Sequence, residues 1–155
     1  MKFIAPLLVV SDLETSKAFY RNVLGLHITA DFGANVTFTG GLSLQTLDTW
    51  DGFIERPQKD ISFAGNDHEL YFEEKDFDDL VERLKNIGGI EYVHSVKEHP
   101  WGQRALRFYD PDRHIIEVGE SMKAVCKRFS DSGMGEEAIA RRMDVPLAYV
   151  RKLLR

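Results

Sequence analysis

Cysteine is almost absent from this sequence, since Cys126 is the only one among 155 residues. An internal disulfide is therefore excluded, which fits a protein of the reducing cytoplasm. Long hydrophobic runs are also absent, because the apolar stretch Phe3–Val10 has only about eight residues and cannot cross a membrane. Asp12 follows without a small-residue cleavage site, so we interpret the stretch as a first β-strand rather than a secretion signal.

Several catalytic motifs are missing as well. The chain has no serine-hydrolase elbow, no glycine-rich phosphate-binding loop and no cysteine cluster for a metal. Hydrophobic residues make up 43% of the chain and charged residues 29%, which is typical of a globular domain and not of a disordered or membrane protein. A chain of 155 residues can bury a core without disulfides.

What the sequence contains instead is one pattern that occurs twice. Ser11-Asp12-Leu13-Glu14 opens a predicted helix that ends at Gly25, and Lys75-Asp76-Phe77-Asp78 opens a second that ends at Gly88. Apolar residues at helical spacing follow both starts, and Ser11 with Glu14 matches a capping box. A strand precedes each helix and three follow it, so we predict strands at Ile4–Val10, Leu26–Phe32, Asn35–Thr39, Leu42–Asp48, Glu69–Glu73, Glu91–Lys97, Gln103–Tyr109 and His114–Glu120.

This order of elements, together with three motifs, resembles the vicinal oxygen chelate superfamily. The motifs are Pro6–Leu13, Phe19-Tyr20-x-x-x-Leu24-Gly25 and Asp110-Pro111-Asp112-x-x-x-Ile116-Glu117. The superfamily includes glyoxalase I, bleomycin-resistance proteins, fosfomycin-resistance enzymes and extradiol dioxygenases. The resemblance implies an α+β fold for a glyoxalase-like domain, residues 1–120, in which tandem βαβββ modules (about 1–48 and 67–120) form a cup-shaped mixed sheet. A C-terminal helical appendage, residues 121–155, would follow.

The resemblance also implies the position of a metal site. In metal-dependent members the ligands come from the first and fourth strands of each module, and they are usually His or Gln, Glu, His and Glu. The matching positions here are Ala5, Gln45, Glu69 and Glu117. Alanine has no donor atom, so the candidate metal ligands are Gln45, Glu69 and Glu117, an oxygen-only set that suits Mg²⁺ or Mn²⁺ better than Zn²⁺. The expected cofactor is one divalent ion (Mn, Ni, Zn or Mg) or none.

Glu117 is the candidate catalytic residue. Strand alternation directs it away from Ile116 and Val118 and into the expected cup. In lyase-type relatives the matching glutamate binds the metal and moves a proton. The alternative is an ordinary ion pair at the strand edge. Without a metal, repulsion between Glu69 and Glu117 would raise the pKa of one carboxyl, and the pair would attract a cationic ligand.

Four aromatic residues are candidates for ligand contacts: Trp101, Phe38, Trp50 and Phe108. Trp101 lies in a turn before a strand, where it would either stack on a ligand at the rim of the cup or cover the edge of the core. The other three would line the cavity, although aromatic residues in strands usually belong to the core. The connector Thr49–Asp67 is long and irregular, and it is either a plain linker or a lid.

The C-terminal segment differs from the rest of the chain in charge. Residues 122–155 contain eight Lys+Arg and four Asp+Glu, although the whole chain has a net charge of −5. We predict helices at Ser121–Asp131, Glu136–Met143 and Pro146–Leu154, which resemble a helix-turn-helix unit with Asp144 in place of the usual glycine. In a DNA-binding unit the residues facing DNA would be Tyr149, Arg151, Lys152 and Arg155. The alternative is an appendage that packs on the acidic body or on a partner subunit.

The sequence leaves two main classes of function open. One is a glyoxalase-like lyase that holds a divalent ion in a degenerate site. The other is a non-catalytic protein that binds and sequesters a small, cationic or aromatic molecule in the cleft between the paired modules. A ligand-sensing DNA-binding regulator that uses residues 122–155 is a further alternative. The resemblance also implies a homodimer, and we expect no association with membranes.

Overall fold

The structure, a computed structural model, describes residues 1–155. Eight strands and six α-helices divide into two compact units, one of residues 1–67 with 110–114 and one of residues 68–109 with 115–155. Each unit contains one four-stranded mixed sheet, followed in the second unit by three C-terminal helices. The predicted α+β fold, with tandem βαβββ modules and a C-terminal helical extension, is confirmed.

The first module has the strand order β1-β4-β3-β2, in which only β1 and β4 run parallel. Its elements are β1 Leu7–Val10, α1 Leu13–Asn22, β2 Ile28–Asp31, β3 Asn35–Phe38 and β4 Ser43–Thr46. Val10, Val36 and Leu44 are fully buried on one face of the sheet. The ring of Tyr20 on α1 lies 5.8 Å from that of Phe38, so α1 covers this face.

The start of α1 differs from the prediction. The N-cap is Asp12, whose Oδ1 accepts the backbone N–H of Thr15 at 2.7 Å. The Ser11 hydroxyl instead donates to Asp112 Oδ1 at 2.5 Å. The predicted capping box is therefore wrong, because a carboxylate distant in sequence gives Ser11 a charge-assisted partner. The predicted end is confirmed, since Gly25 has a φ of 68°.

The connector between the modules begins with a helix that the sequence did not predict. Helix α2, Leu47–Ile54, follows directly after β4, so the strand ends two residues before the predicted Asp48. Thr49 helps the chain to turn: its hydroxyl lies 2.8 Å from that of Thr46 and accepts a hydrogen bond from Gln45 Nε2 at 2.5 Å. The prediction of an irregular connector is wrong for this part.

The second module repeats the topology, with the strand order β5-β8-β7-β6 and only β5 and β8 parallel. Its elements are β5 Glu69–Glu74, α3 Phe77–Ile87, β6 Tyr92–Glu98, β7 Arg104–Tyr109 and β8 Ile115–Glu120. On one face Leu106, Phe108 and Ile116 are buried, and the Arg104 guanidinium on that face lies 5.1 Å from the ring of Phe77 on α3. The face of each sheet that α1 or α3 does not cover is called the helix-free face below, and in the first module the start of α2 adjoins it.

The turn Asp110–His114 belongs to the first unit and is held by one buried carboxylate. Asp110 Oδ2 accepts the Tyr20 hydroxyl at 2.8 Å and lies 2.8 Å from His114 Nδ1. Its Oδ1 accepts the backbone N–H groups of Asp112 and His114 at 3.0 and 2.8 Å. Burial, followed by the Asp110 charge, raises the pKa of Tyr20 well above its usual value. Asp110-Pro111-Asp112 therefore forms the turn that joins β7 to β8.

The C-terminal extension consists of α4 Met122–Asp131, α5 Glu136–Met143 and α6 Leu147–Leu153. The three helices have a small core of their own, in which Val125, Ile139 and Val150 are fully buried. Asp144 adopts the left-handed conformation, with a φ of 55°, at the turn between α5 and α6 where glycine is usual. The predicted helices are confirmed. None of the helices in the chain is long and apolar enough to cross a membrane.

Candidate functional site

The predicted carboxylates Glu69 and Glu117 both lie on the helix-free face of the second sheet. Glu117 on β8 is paired in register with Tyr71 of β5 and with Arg107 of β7. Glu69 is two residues before Tyr71 on β5, and residues two apart on a strand project from the same face. Because Ile116 and Val118 are buried against the α3 side, alternation orients Glu117 as the sequence predicted.

The guanidinium of Arg107 connects the two carboxylates. Its Nε donates to Glu69 Oε2 at 2.8 Å, and its Nη2 donates to Glu117 Oε2. Its Nη1 lies 3.2 Å from Nε2 of His94, a residue of the neighbouring edge strand β6. Planar guanidinium groups pair well with carboxylates because several N–H donors match their oxygens. The site therefore contains a cation supplied by the chain itself.

The two carboxyl groups have pKa values shifted in opposite directions. Burial, followed by the neighbouring Glu69 carboxylate, raises the pKa of Glu117, whose side chain is 7% exposed. The hydrogen bond from Arg107 lowers the pKa of Glu69, whose side chain is 36% exposed. Neighbouring acids with divergent pKa values are typical of sites that transfer protons, although ion-pair networks can cause the same shifts.

A series of hydrogen bonds extends this face toward the turn between β6 and β7. Trp101 Nε1 donates to Gln103 Oε1 at 3.2 Å, and Gln103 Nε2 donates to the Tyr71 hydroxyl at 2.9 Å. Gly119 makes room for the contact, because a Cβ at that position would lie 2.8 Å from Gln103 Nε2. Trp101 is 38% exposed and stacks on His99 with ring centroids 4.3 Å apart. We call Trp101, Gln103 and Tyr71 the aromatic arm.

The corresponding face of the first sheet carries neutral groups. Gln45 on β4 is paired in register with Asn35 of β3, and Asn35 Nδ2 donates to Gln45 Oε1 at 2.9 Å. Gln45, the third predicted metal ligand, therefore uses its side-chain amide in hydrogen bonds to two neutral groups, Asn35 and Thr49 of α2.

The strand register also refines the comparison of Ala5 with Glu69. We match Gln45 to Glu117 and find the residue paired with each on the first strand of its module. The residue two positions before that partner is Leu7 in the first module and Glu69 in the second. Ala5 instead lies seven residues before Asp12, as Glu69 lies seven before Asp76, and it is two residues away from Leu7. Beyond the residue paired with Glu117, β5 runs two residues further than β1 does beyond the residue paired with Gln45, so distance from the helix start does not give the register. Leucine also lacks a donor atom, so the first module still offers no ligand there.

The four candidate ligand-contacting aromatics have different positions. Phe38 and Phe108 are 1% and 0% exposed and lie on the faces covered by the helices, so they belong to the cores. Trp50 lies on α2 and is half-buried. Trp101 is the one of the four on the aromatic arm, at the end of the helix-free face of the second sheet.

The residues present do not fit a divalent metal site. No group of three or more His, Cys, Asp and Glu side chains is arranged to hold a metal ion. Glu69 and Glu117 share Arg107, and a metal ion at their oxygens would have to displace a guanidinium and would face its positive charge. Members of the superfamily commonly use a divalent metal, but in this chain an arginine already pairs with both carboxylates of the donor set.

Much of the positive charge of the C-terminal segment is paired within the second unit. Arg151, one of the predicted DNA-facing residues, lies 2.8 Å from Glu136. Arg128 and Arg142 lie 3.5 and 3.1 Å from Glu98. These contacts support the alternative that the segment packs on the acidic body of the protein.

Sequence reasoning missed Arg107 and His94. The signal for Arg107 was available, because it alternates with Leu106 and Phe108 on β7 as Glu117 does with its neighbours on β8. His94 could not have been found in this way, since β6 has register irregularities on both sides of it.

Comparisons with known proteins agree with this fold. Residues 3–123 match the model of the glyoxalase-like domain family. A protein of unknown function from Agrobacterium tumefaciens is 37% identical, with 79% of this chain and 95% of that chain aligned and a TM-score of 0.69.

More distant structures show the same fold. A lactoylglutathione lyase from Agrobacterium tumefaciens is 24% identical, covering 77% of this chain and 93% of that chain with a TM-score of 0.60. A fosfomycin resistance protein from Mesorhizobium loti is 16% identical, covering 78% and 92% with a TM-score of 0.56. The match over residues 3–123 spans most of the chain. The protein therefore belongs to the glyoxalase-like domain family of the vicinal oxygen chelate superfamily.

Proposed function

We propose that the protein binds a small organic molecule on the helix-free face of its second module and does so without a divalent metal. The observation that carries this proposal is the position of Arg107, which donates hydrogen bonds to both Glu69 and Glu117. These are two of the positions that supply metal ligands in metal-dependent relatives. A side-chain cation here already pairs with both carboxylates that a metal would need.

The charges on this face favour a cationic ligand. Glu69, Glu73 and Glu117 follow the same alternation, and the Tyr71 hydroxyl donates to Glu73 Oε1 at 3.0 Å. Arg107 balances only one of these three carboxylates, so the face remains acidic. Trp101 and Tyr71 offer aromatic surface beside it, and aromatic rings attract cations through their faces. An organic cation with an aromatic group matches both features, as a drug-sequestering protein of this superfamily would require.

Proton transfer by Glu117 is a second candidate, because the pKa of this carboxyl is raised. A carboxylate with a higher pKa is a stronger base and is better suited to removing a proton from carbon. The lyase from Agrobacterium tumefaciens takes its name from lactoylglutathione, which is therefore the first substrate to test without added metal. We expect Glu117→Gln to abolish any turnover, whereas turnover that survives this change would exclude the role of Glu117.

Metal analysis tests whether the protein functions without a divalent metal. We expect the purified protein to contain no stoichiometric Mn, Ni, Zn or Mg. Addition of Mn²⁺, Ni²⁺ or Zn²⁺ should leave its melting temperature unchanged, because Arg107 occupies the carboxylates. A bound metal in a one-to-one ratio, or an increase of several degrees, would refute the proposal.

A pair of matched probes tests whether the protein binds an organic cation. Benzamidine is a small aromatic cation and benzoate is an aromatic anion of similar size. We expect benzamidine to quench or shift Trp101 fluorescence in a Trp50→Phe variant. Glu73→Gln, which removes an exposed carboxylate of the same face, should weaken this effect about tenfold, the equivalent of one charge-assisted contact of about 1.4 kcal/mol. Equal responses to benzoate and benzamidine, or none to either, would contradict a cationic ligand.

The homodimer, the cytoplasmic location and the DNA-binding alternative stay predictions. Sedimentation at several concentrations tests the first. Loss of DNA binding with increasing salt, compared between the full chain and Arg155→Ala, tests the last.

A further inference from the structure

The C-terminal helices contact the turn that carries Trp101, and these contacts include hydrogen bonds and ion pairs as well as apolar packing. The turn His99–Gly102 joins β6 to β7 and is closed by a hydrogen bond from Gly102 N–H to the His99 carbonyl at 2.8 Å. Its residues belong to the second unit, as do all three C-terminal helices.

Two arginines of the extension bind this turn from outside. Arg128 on α4 donates through Nη2 to the Gly102 carbonyl at 2.5 Å. Arg142 on α5 donates through Nη1 to the Pro100 carbonyl and through Nη2 to Glu98 Oε1 at 3.1 Å. A guanidinium group has several fixed donors, so each arginine contacts more than one group at once.

Glu98 and Glu120 orient the two arginines. Glu98 Oε2 lies 3.5 Å from Arg128 Nη1, so one carboxylate at the end of β6 contacts both arginines. Glu120, whose side chain is 3% exposed, accepts Arg128 Nη2 at 3.0 Å and Arg104 Nε at 3.1 Å. Burial raises the pKa of Glu120, but the hydrogen bonds from Arg104 and Arg128 outweigh it and the pKa is lowered overall.

Phe129 on α4 completes the contact. Its ring lies directly against Gly102, where an added Cβ would be 2.2 Å from the ring carbon Cζ. Gly102 also has a φ of 89°, so both the backbone conformation and the close ring require glycine. The guanidinium carbons of Arg128 and Arg142 lie 5.0 and 5.8 Å from the centre of the same ring.

We propose that Arg128 and Arg142 of the C-terminal extension are positioning residues that hold the His99–Gly102 turn and thereby fix the aromatic arm of the ligand site. Trp101 lies inside the held turn, and Gln103 directly after it contacts Tyr71 on the sheet face. The role of the arm in ligand binding rests on the proposed function, whereas the hold on the turn does not. In this proposal the extension uses its arginines for an internal task instead of nucleic-acid binding.

Arg142→Ala tests the hold, and Arg141→Ala is its matched control. Both arginines lie on α5, but the exposed side chain of Arg141 makes none of the contacts above. In the Trp50→Phe background Trp101 is the one remaining tryptophan, so its fluorescence reports on the turn. We expect Arg142→Ala to raise acrylamide quenching of Trp101 about twofold and to accelerate hydrogen exchange of the Gly102 amide about tenfold. Arg141→Ala should change neither.

A second variant approaches the same contact from the other side. Glu98→Gln removes the shared carboxylate but leaves both arginines in place, and we expect it to increase Trp101 quenching in the same direction. The double variant with Arg142→Ala should increase Trp101 quenching by less than the sum of the two single effects, because both changes remove the same interaction. If Arg142→Ala and Glu98→Gln both behave like Arg141→Ala, the hold does not exist.

The benzamidine probe separates this inference from the proposed function. If wild type binds benzamidine, Arg142→Ala should weaken binding about threefold, while Arg141→Ala should not. If wild type does not bind it, the proposed ligand class is wrong and the fluorescence and exchange measurements still decide whether the turn is held. Unchanged benzamidine affinity in a variant with a loosened turn would refute the link between the turn and the ligand site.

Discussion

In the first module Gln45 of β4 lies opposite Asn35 of β3, and in the second module Glu117 of β8 lies opposite Arg107 of β7. Both pairs are hydrogen-bonded, and both lie on the helix-free face of a sheet with the same strand order. One pair is neutral and the other is charged. Two copies of one fold can therefore keep the same geometry of a cross-strand pair while only one of them carries ionisable groups.

The difference extends to the first strand of each module. Leu7 occupies the register position that Glu69 has in the second module. The second module therefore has a carboxylate on each side of its arginine, whereas the first has an apolar residue and an amide. Since ionisable groups provide charge and proton transfer, the second module is where binding chemistry is expected.

The largest expected effect comes from removing the cation. Arg107→Met leaves Glu117 buried without its partner and next to Glu69. We expect a loss of roughly 2–4 kcal/mol in unfolding free energy at pH 7, between the values for exposed and buried pairs. The matched change Asn35→Met removes one neutral hydrogen bond and should cost about 1 kcal/mol. Urea unfolding measures both, and equal losses would show that the charge is unimportant.

The repeated module was predictable from the sequence because two independent patterns agree. The helices repeat the same start with Asp12 and Asp76, and glycine ends both. Strand alternation then correctly oriented Glu117, since apolar neighbours on a half-buried sheet leave only one direction for the residue between them.

The partner of Glu117 was not predicted, because the metal-ligand pattern of the superfamily identifies carboxylates and not cations. Resemblance to metal-dependent relatives directed attention to donor atoms, and an arginine is not a metal ligand. Helix α2 was missed for a different reason. Its start depends on hydrogen bonds among Gln45, Thr46 and Thr49, and such local side-chain contacts leave no periodic signal.

The second prediction introduces a charge into the neutral module. Gln45→Glu places a carboxylate at a position that is 3% exposed and whose hydrogen-bond partners, Asn35 and Thr49, are neutral. We expect a loss of roughly 1–3 kcal/mol at pH 7, because a buried charge lacks compensation. Adding Asn35→Arg should recover part of this loss by copying the second module. If the double variant is no more stable than Gln45→Glu, the two faces are less alike than their register indicates.

The third prediction concerns the pH dependence caused by Glu117. Its folded-state pKa is raised above the usual 4.5, so the folded protein holds the proton more tightly than the unfolded chain does. Its contribution to stability therefore falls as the pH rises from 4.5 through the folded-state value. Glu117→Gln removes this dependence and should change stability by only about 1 kcal/mol at pH 7, since the amide still accepts from Arg107.

Unfolding free energies between pH 4 and pH 8 measure this slope. The stability of the variant should increase relative to that of wild type as the pH rises. If the variant instead becomes less stable relative to wild type as the pH increases, the Arg107 pair dominates and the pKa of Glu117 is not raised.

The smallest expected effect comes from making the second module resemble the first at its most exposed position. Glu69→Leu installs the apolar residue type of Leu7, and the pair it removes is partly exposed, so we expect a loss below about 1 kcal/mol. The pKa of Glu69 is lowered from 4.5 by Arg107, so its contribution is present above pH 4.5 and is lost as the pH falls through the folded-state value. The difference between wild type and variant should shrink as the pH falls below 4.5, and it should also shrink in 1 M salt. A difference that grows in acid would mean that Glu69 stabilises the fold through packing, and the contrast with Leu7 would then be one of shape and not of charge.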